Sequence, residues 1–463
     1  MAKNRTPIKA KKVGEINLPE GFKKEMKSLL GEEADQLLKT LEEEPVVSVR
    51  LNRRKPVSHT LFEGMEAVDW CENGFYLPER PDFGHNPLLY AGTFYVQEAS
   101  SMIYEQITGK LLEEIERERG KKEPLEVLDL CAAPGGKSTA IINALDDEDV
   151  LISNEFDRKR AWILKENIEK WGSGNVVVTN NAAADFGKLS EKFDIIAVDA
   201  PCSGEGMMRR EAVARSQWSE ELVAQCSTLQ REIVADILPT LKEGGYLIYS
   251  TCTFNRKENE ENLDYFMKAY GLEPVSLKLE GVEDALKGIG TEAQALRFMP
   301  HRTKGEGLFV AVLKKPGKEE ARVQPNLSTK SRKEEESQRE EIRIGDILYE
   351  MSGTGKEMVK TLQNKVKNIR ILSAGRPKTE MKGKLEIPLA ASVLFHLGTG
   401  NFPIVDLTKE DALKYLRRET LNLPEETPKG YLTVSYKGHP LGVIKNLGNR
   451  ANNLYPSEWK IRN

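Results

Sequence analysis

The sequence predicts an α/β fold, a mostly parallel sheet with helices on both faces and smaller domains at either side. Three observations predict it. Between Leu125 and Tyr270, strand-like apolar runs alternate with amphipathic helical stretches, the beat of a parallel sheet joined by crossover helices. The runs LEVLDL, VLISN, NVVVTN, FDIIAVD and YLIYST are continuously apolar rather than alternating, so both of their faces are expected to be buried. Finally, residues able to do chemistry stand just past several of these strands: Cys131, then Asp199 and Cys202, then Cys252. Open parallel sheets bind their ligands beyond the carboxyl ends of the strands.

Length and composition bound the rest. At 463 residues the chain is too long for one core, and about three domains are expected. A hydrophobic share of 39% with 30% charged residues describes a soluble globular protein. No apolar run approaches the ~20 residues of a membrane span, and no apolar signal segment follows the basic start, so a cytoplasmic location is expected. The five cysteines (Cys71, Cys131, Cys202, Cys226, Cys252) are odd in number and form no CxxC pair. A disulfide framework and a zinc site are therefore not expected, and a reducing compartment is. The net charge of −4 exerts no general pull on nucleic acid, so any such binding must use local patches.

The elements follow in order. Residues 1–12 carry five lysines or arginines and no acid, which reads as a floppy basic tail or as a loose RNA-contacting arm. Leu18 to Leu41 has helical spacing and stops near Pro45. VVSVRLN alternates like a strand and runs into Arg53, Arg54 and Lys55, an edge that is either solvated or in contact with phosphate. PERPDFGHNPLLYAG is a loop, and YVQEASSMIYEQI resembles a helix start with Ser100 or Ser101 near its cap. The charged helix EEIERERGKKEP leads into the main sheet. Its crossover helices are KSTAIINAL and RKRAWILKENIEKWG, the latter closed by Gly172. A long helix over 219–241 is expected to turn Leu222, Val223, Cys226, Leu229, Ile233 and Ile237 inward, which makes Cys226 a packing residue. KENEENLDYFMKAY is a further helix and GLFVAVLKK a late strand. Lys314 to Glu341 is polar and charged and reads as a linker or a ragged helix.

Two separately patterned pieces follow, IGDILYEM to IPLAASVLF and FPIVDL to the end. YLTVSYKGHPLGVIKN looks like a hairpin with Lys-Gly-His-Pro at its turn. From Lys429 onward there are six Lys or Arg against one Glu, interleaved with Tyr431, Tyr436, Tyr455 and Trp459. This is the best nucleic-acid patch in the chain. The competing reading is a small β domain with ordinary surface lysines.

The turn LDLCAAPGGKST joins a strand to a helix through Gly135 and Gly136, where backbone N–H groups face a polar or anionic ligand. Glu155 ends the next strand, twenty-four residues past Cys131, a distance suited to accepting from a ribose diol. GGKST and FDIIAVD imitate a P-loop and a Walker-B strand. However, Cys131 stands in place of the first P-loop glycine, and Pro134 removes an N–H that phosphates would need. The G-x-G-x-x-G of a nicotinamide enzyme is absent. S-adenosylmethionine is the remaining common nucleoside ligand for such a sheet. A methyl donor with two thiols and a carboxylate suggests one reaction: a thiolate adds to cytosine C6 so that C5 becomes nucleophilic. The acid supports N3 as charge builds there. Removal of the C5 proton and expulsion of the thiol then need a base. Spacing alone does not choose the attacking cysteine.

CAAPGGKST, DAPCSGEG and STCTF, in this order, resemble the RNA 5-methylcytosine methyltransferases of the Nop/Sun family. The trailing domains, ending in GNRANNLYP, look like the bacterial ribosomal RNA enzymes of the RsmF (YebU) type. The resemblance implies a Rossmann-like S-adenosylmethionine-dependent sheet with a small N-terminal α+β domain and PUA-like RNA-binding domains at the C-terminus. It implies Cys252 as nucleophile, Cys202 in product release, and Asp199 against both the cytosine ring and the methionine end of the donor. The donor is then wrapped by Cys131, Ala132, Ala133, Pro134, Gly135, Gly136 and Lys137, with its ribose on Glu155. Its adenine lies on Asn181, where the family usually has aspartate, with Asp185 as the fallback. The expected domains are an RNA-contacting 1–120, a catalytic 121–315, a linker 316–340, a first C-terminal domain 341–400 and a PUA-like 401–463. The expected substrate is cytosine in small-subunit ribosomal RNA, free or in the subunit, handled by a monomer without metal or membrane. A transfer-RNA target and a non-catalytic assembly factor are the alternatives. The base must be extruded from structured RNA at a cost of roughly a few kcal/mol, and Arg209 and Arg210 in the following loop are expected to handle it.

Overall fold

A ten-stranded sheet forms the centre of the chain in the computed structural model, which describes residues 17–57, 64–317, 339–395 and 402–462. The basic tail over 1–12 and nearly all of the expected linker lie outside the described residues. Five central strands run parallel in the order Leu241–Thr251, Phe193–Asp199, Glu126–Asp129, Val150–Asn154, Val176–Thr179. Leu308–Lys314 pairs antiparallel to Leu241–Thr251. The chain order reverses between Glu126–Asp129 and Phe193–Asp199, and this switch point is where such sheets open a crevice. Val127, Leu128, Ile195, Ile196, Leu247 and Ile248 are all fully buried, as the continuous apolar runs predict.

The flanking helices are built from local signals. Arg158–Trp171 starts on the Asp157 side-chain cap and ends at left-handed Gly172. Glu220–Ile237 starts on Ser219, which accepts the Leu222 N–H. The two stretches read separately as a helix start and a charged helix are one helix, Ile103–Arg119, preceded by a single turn at Ser100–Met102. The Glu98 carboxylate, rather than a serine, takes the N–H groups of Ser100 and Ser101, each at 2.9 Å.

The buried face of Glu220–Ile237 differs from the expected one. Val223, Ser227, Gln230, Val234 and Ile237 point inward, while Leu229 is 43% exposed and Cys226 only half-buried. Ser227 and Gln230 are inside because they bond to buried polar partners: Ser227 Oγ donates to the Lys257 carbonyl, and Gln230 Nε2 to the Pro201 carbonyl. A hydrophobicity pattern passes over such residues.

Before the central sheet, helices Glu20–Leu30 and Ala34–Thr40 precede a four-stranded antiparallel sheet with Val47–Leu51 at its middle. The basic run after this strand is largely inward. Lys55 is buried with Nζ donating to the Ala91 and Lys170 carbonyls at 2.8 and 2.6 Å, and burial lowers its pKa to about 7. Arg54 binds the Leu145 carbonyl at 2.7 Å and pairs with Asp147, so Arg53 alone stays exposed.

After the central sheet, strand Ile371–Ala374 adds antiparallel to Val176–Thr179. Helix Gly353–Lys365 buries Met358, Val359 and Leu362 in the same core as Val177 and Phe186. This segment is therefore packed onto the central sheet, a docking without a local sequence signal. The last sheet contains the expected hairpin, Gly430–Tyr436 with His439–Asn446, turning through Lys437 and Gly438 at φ of 51° and 76°. The aromatic half of the nucleic-acid patch needs correction. Tyr455 and Trp459 are 1% and 6% exposed and pack in the core of this sheet with Tyr415. Tyr431 and Tyr436 remain at the surface, with Lys445 over the Tyr431 ring.

Candidate active site

Strands Phe193–Asp199 and Leu241–Thr251 lie side by side with Asp199 opposite Ser250. Each then gives way to a loop carrying one thiol, and Cys202 Sγ meets Cys252 Sγ at 3.1 Å. The two loops grip one another reciprocally. From the first, the Glu205 carboxylate accepts the N–H groups of Phe254 and Asn255 at 2.6 and 2.9 Å, and the Trp218 indole N–H at 2.9 Å. From the second, Glu258 accepts the Ser203 N–H at 3.1 Å and the Gln230 amide at 2.7 Å. Ser203 and Thr253 hydroxyls join at 2.8 Å, and the Gly206 N–H donates to the Cys252 carbonyl at 2.9 Å. A Cβ on Gly206 would lie 2.9 Å from that same oxygen, so the close approach requires glycine. Both carboxylates are fully buried. Burial pushes the Glu258 carboxyl up, against the opposing hydrogen bonds from Ser203 and Asn255. Two buried acids satisfied by backbone donors set the thiol separation firmly.

Asp199 ties the thiols to the glycine loop. Ser250 Oγ donates to its Oδ1 at 2.7 Å and Lys137 Nζ to its Oδ2 at 2.8 Å. Buried Tyr104 meets Ser250 Oγ at 2.8 Å. Burial alone would lower the Lys137 pKa, but Asp199 outweighs it and the ammonium is stabilised. Burial, reinforced by Asp199, holds the Tyr104 phenol protonated. The Cys202 thiol is pushed well up, first by its hydrogen bond to Cys252 and then by burial.

Across the switch point, Gly135 takes φ of +114°, a left-handed conformation that favours glycine, and caps helix Gly136–Ala144. The first amides of that helix have no intrahelical acceptor and face the crevice. Cys131, Ala132, Ala133 and Pro134 lead into this turn from the Asp129 strand end. Burial pushes the Cys131 thiol up, so it stays protonated beside the loop. Glu155 stands opposite, its carboxylate held by the N–H groups of Asp157 at 2.9 Å and Ala133 at 3.3 Å. Asp129 is fully buried with Oδ2 on Ser138 Oγ at 2.6 Å and Oδ1 without a partner among the described residues. A carboxylate at the second strand end, free helix amides and an orphaned oxygen suit the ribose and amino-acid ends of S-adenosylmethionine.

Asn181 is differently placed. Its amide donates to Asp185 at 3.0 Å and to the Asn368 carbonyl at 3.4 Å, and its oxygen takes the Arg370 N–H at 3.0 Å. Asp185 caps its own turn through the Ala182 N–H. Both side chains are thus engaged within the protein. Phe156, the residue after Glu155, is 75% exposed and offers a flat apolar face there. Its signal in the sequence was a lone aromatic at a strand end, which the pattern reading passed over. Glu205 and Glu258 lay within or beside quoted motifs, but nothing local marked them as cross-loop braces.

Arg209 and Arg210 also need correction. Arg209 is buried and donates to the carbonyls of Glu43 and Glu44 at 3.3 and 2.5 Å; Arg210 donates to the Val46 carbonyl at 2.8 Å and pairs with Glu306. They join the N-terminal helices to the central sheet rather than facing the crevice. Among the described residues no group of three or more His, Cys, Asp or Glu side chains could hold a metal ion, and no helix is long and apolar enough to cross a membrane.

Comparison with known proteins agrees with this layout. Residues 119–314 match the family of 16S rRNA methyltransferase RsmB/F, residues 18–99 the N-terminal domain of 16S rRNA methyltransferase RsmF, and residues 402–461 the methyltransferase RsmF PUA domain. The chain is 30% identical to a ribosomal RNA small subunit methyltransferase F of Vibrio atlanticus, over 85% of each chain. It is 29% identical to that of Cronobacter sakazakii, over 96% of this chain and 97% of the other. A crystal structure of a methyltransferase homologue from Pyrococcus horikoshii is similar with a TM-score of 0.55 and 26% identity, covering 67% of this chain and all of its own.

Proposed function

The chain belongs to the ribosomal RNA small subunit methyltransferase F family and is an S-adenosylmethionine-dependent rRNA methyltransferase, and we propose that its acceptor is C5 of a cytosine in 16S rRNA, reached through a covalent Cys252–C6 adduct. The observation that carries this reading is the 3.1 Å approach of two thiols beside Asp199. Methylation of a nucleophilic nitrogen or oxygen would need no such pair.

S-adenosylmethionine, held by residues 131–137, Glu155 and Asp199, supplies an electrophilic methyl group; Phe156 offers a face for its adenine, with Asn181 and Asp185 shaping the wall behind. The steps of the chain's own residues follow from their positions. Cys252 adds to C6 as thiolate and forms the S–C6 bond. The electron pair displaced from the C5–C6 bond is delocalised onto N3, where the Lys137–Asp199 pair holds a proton. Once Cys252 is bonded to carbon, the thiol–thiol hydrogen bond that raised the Cys202 pKa is gone. After C5 has bonded the methyl group released by the donor, Cys202 gives its proton to solvent water and as thiolate takes the one at C5, whose bonding pair re-forms C5=C6 and expels Cys252 as thiolate. Lys437, Lys445 and Arg450 on the terminal sheet supply phosphate contacts. The same reading divides the chain into an RNA-contacting 1–120, a catalytic 121–315, a linker 316–340, a docked 341–400 and an RNA-binding 401–463. It places the enzyme in the cytoplasm, acting as a monomer on rRNA or the small subunit.

The test is to incubate the full chain and S-adenosylmethionine separately with 16S rRNA, small subunits and transfer RNA, then map modified positions by bisulfite sequencing. Protection of cytosine in 16S rRNA is expected. Methylation confined to transfer RNA, or at an atom other than C5, would overturn the reading.

A further inference from the structure

An open groove of about 500 Å³ lies at the outer edge of the catalytic sheet, where docked strand Ile371–Ala374 begins. It is lined by Arg158 and Trp162 from one helix, by Asn180, and by Gln363, Arg370 and Ile371 from the docked segment. Neither the thiols nor the glycine loop contributes to it. Three features set it apart from ordinary surface. Trp162 in the lining is 50% exposed, and Phe156 and Ile163, close to it in sequence, are 75% and 50% exposed. Arg158, Lys159, Lys367 and Arg370 are exposed and form no ion pair among the described residues. The groove also abuts the active site: Asn180 Nδ2 donates to the Glu155 and Phe156 carbonyls at 2.8 and 2.9 Å, so both share a wall.

We propose that this groove binds a single-stranded stretch of the substrate RNA flanking the target, one base stacking on Trp162 and its phosphates meeting Arg158 and Arg370. The inference rests on the enzyme's acting on RNA, as proposed above. Unpaired cations around a half-exposed indole are what an unstacked strand requires, since aromatic faces take bases irrespective of sequence and guanidinium groups take the backbone. The nearby carboxylate of Asp157 is engaged as the cap of its own helix, accepting the Arg160 N–H. Extruding a base from structured RNA leaves its neighbours unstacked, and a groove beside the donor site would hold them apart.

The test uses the full chain and in vitro transcribed 16S rRNA, with binding measured across a salt series. Trp162→Ala should weaken binding roughly 5- to 150-fold. Arg158→Ala with Arg370→Ala should lower the magnitude of the slope of log K against log salt by about 1.4, or ~0.7 per lost single-strand phosphate contact. Affinity for S-adenosylmethionine should stay at the wild-type value in both, which also verifies folding. If wild type binds the RNA and both variants match it, the groove is not an RNA site. If the variants lose affinity only for assembled small subunits, the occupant is a protein, and the inference is equally overturned. Wild type failing to bind rRNA or small subunits at all would instead sink the functional reading on which the inference rests.

Discussion

Cys202 and Cys252 stand fifty residues apart in the chain, yet their sulfurs lie 3.1 Å from each other. That distance suits the proposal that both act on one base, and the two proposed roles separate experimentally. Cys252→Ala should bind RNA and donor but give neither methylation nor a cross-linked species. Cys202→Ala should attack and methylate but release slowly, so that a protein–RNA adduct accumulates. A denaturing gel of each variant with 16S rRNA and donor reads the difference. A trapped band in Cys252→Ala, absent in Cys202→Ala, would reverse the assignment.

The braces predict a defect in turnover. Glu205→Gln replaces one acceptor oxygen by an NH₂ facing donors from Phe254, Asn255 and Trp218. The unmet hydrogen bond should cost about 1–3 kcal/mol of stability. It should also lower kcat tenfold or more at a temperature where the variant is folded, with KM for RNA unchanged. A variant destabilised but catalytically normal would show that the loops hold the sulfurs without this carboxylate.

Asp129 predicts a pH effect on stability. Burial, only partly offset by the Ser138 hydrogen bond, raises its carboxyl from 3.8 to about 7. A carboxyl whose pKa is higher in the folded than in the unfolded chain contributes stability that is full below about pH 4 and is lost as pH rises through about 7. Asp129→Asn removes the charge that must be buried. Its stability relative to wild type should therefore be greater at pH 8 than at pH 5, by about 1–4 kcal/mol. Urea unfolding at the two pH values measures this. Equal differences at both would mean that the native site tolerates the carboxylate.

The terminal sheet separates contact from packing. Lys437→Glu with Arg450→Glu, both at exposed positions, should weaken binding to 16S rRNA and flatten its salt dependence while leaving the melting temperature within about a degree. Trp459→Ala should behave in the opposite way. Emptying its buried site costs about 3–5 kcal/mol, so loss of thermal stability should dominate. RNA binding indifferent to the charge reversals would return this sheet to a structural role.

Much of the site was legible in the sequence. Continuous apolar runs identify strands covered on both faces, and strand ends are where an α/β sheet exposes residues to a ligand. Asp199, Cys202, Cys252, the turn after Asp129 and Glu155 could therefore be placed at strand ends from pattern, whereas the role of each came from the family resemblance. These are local patterns, and their meaning depends on the few residues around them. Tertiary structure alone decided the thiol separation, the braces of Glu205 and Glu258, the docking of Ile371–Ala374 on the sheet edge and the burial of Tyr455, Trp459, Lys55 and Arg209. A polar or aromatic side chain goes inside only when a partner distant in the chain satisfies it. Gln230 needs Glu258, Arg209 needs the Glu43 and Glu44 carbonyls, and no periodicity of 2 or 3.6 residues carries that information.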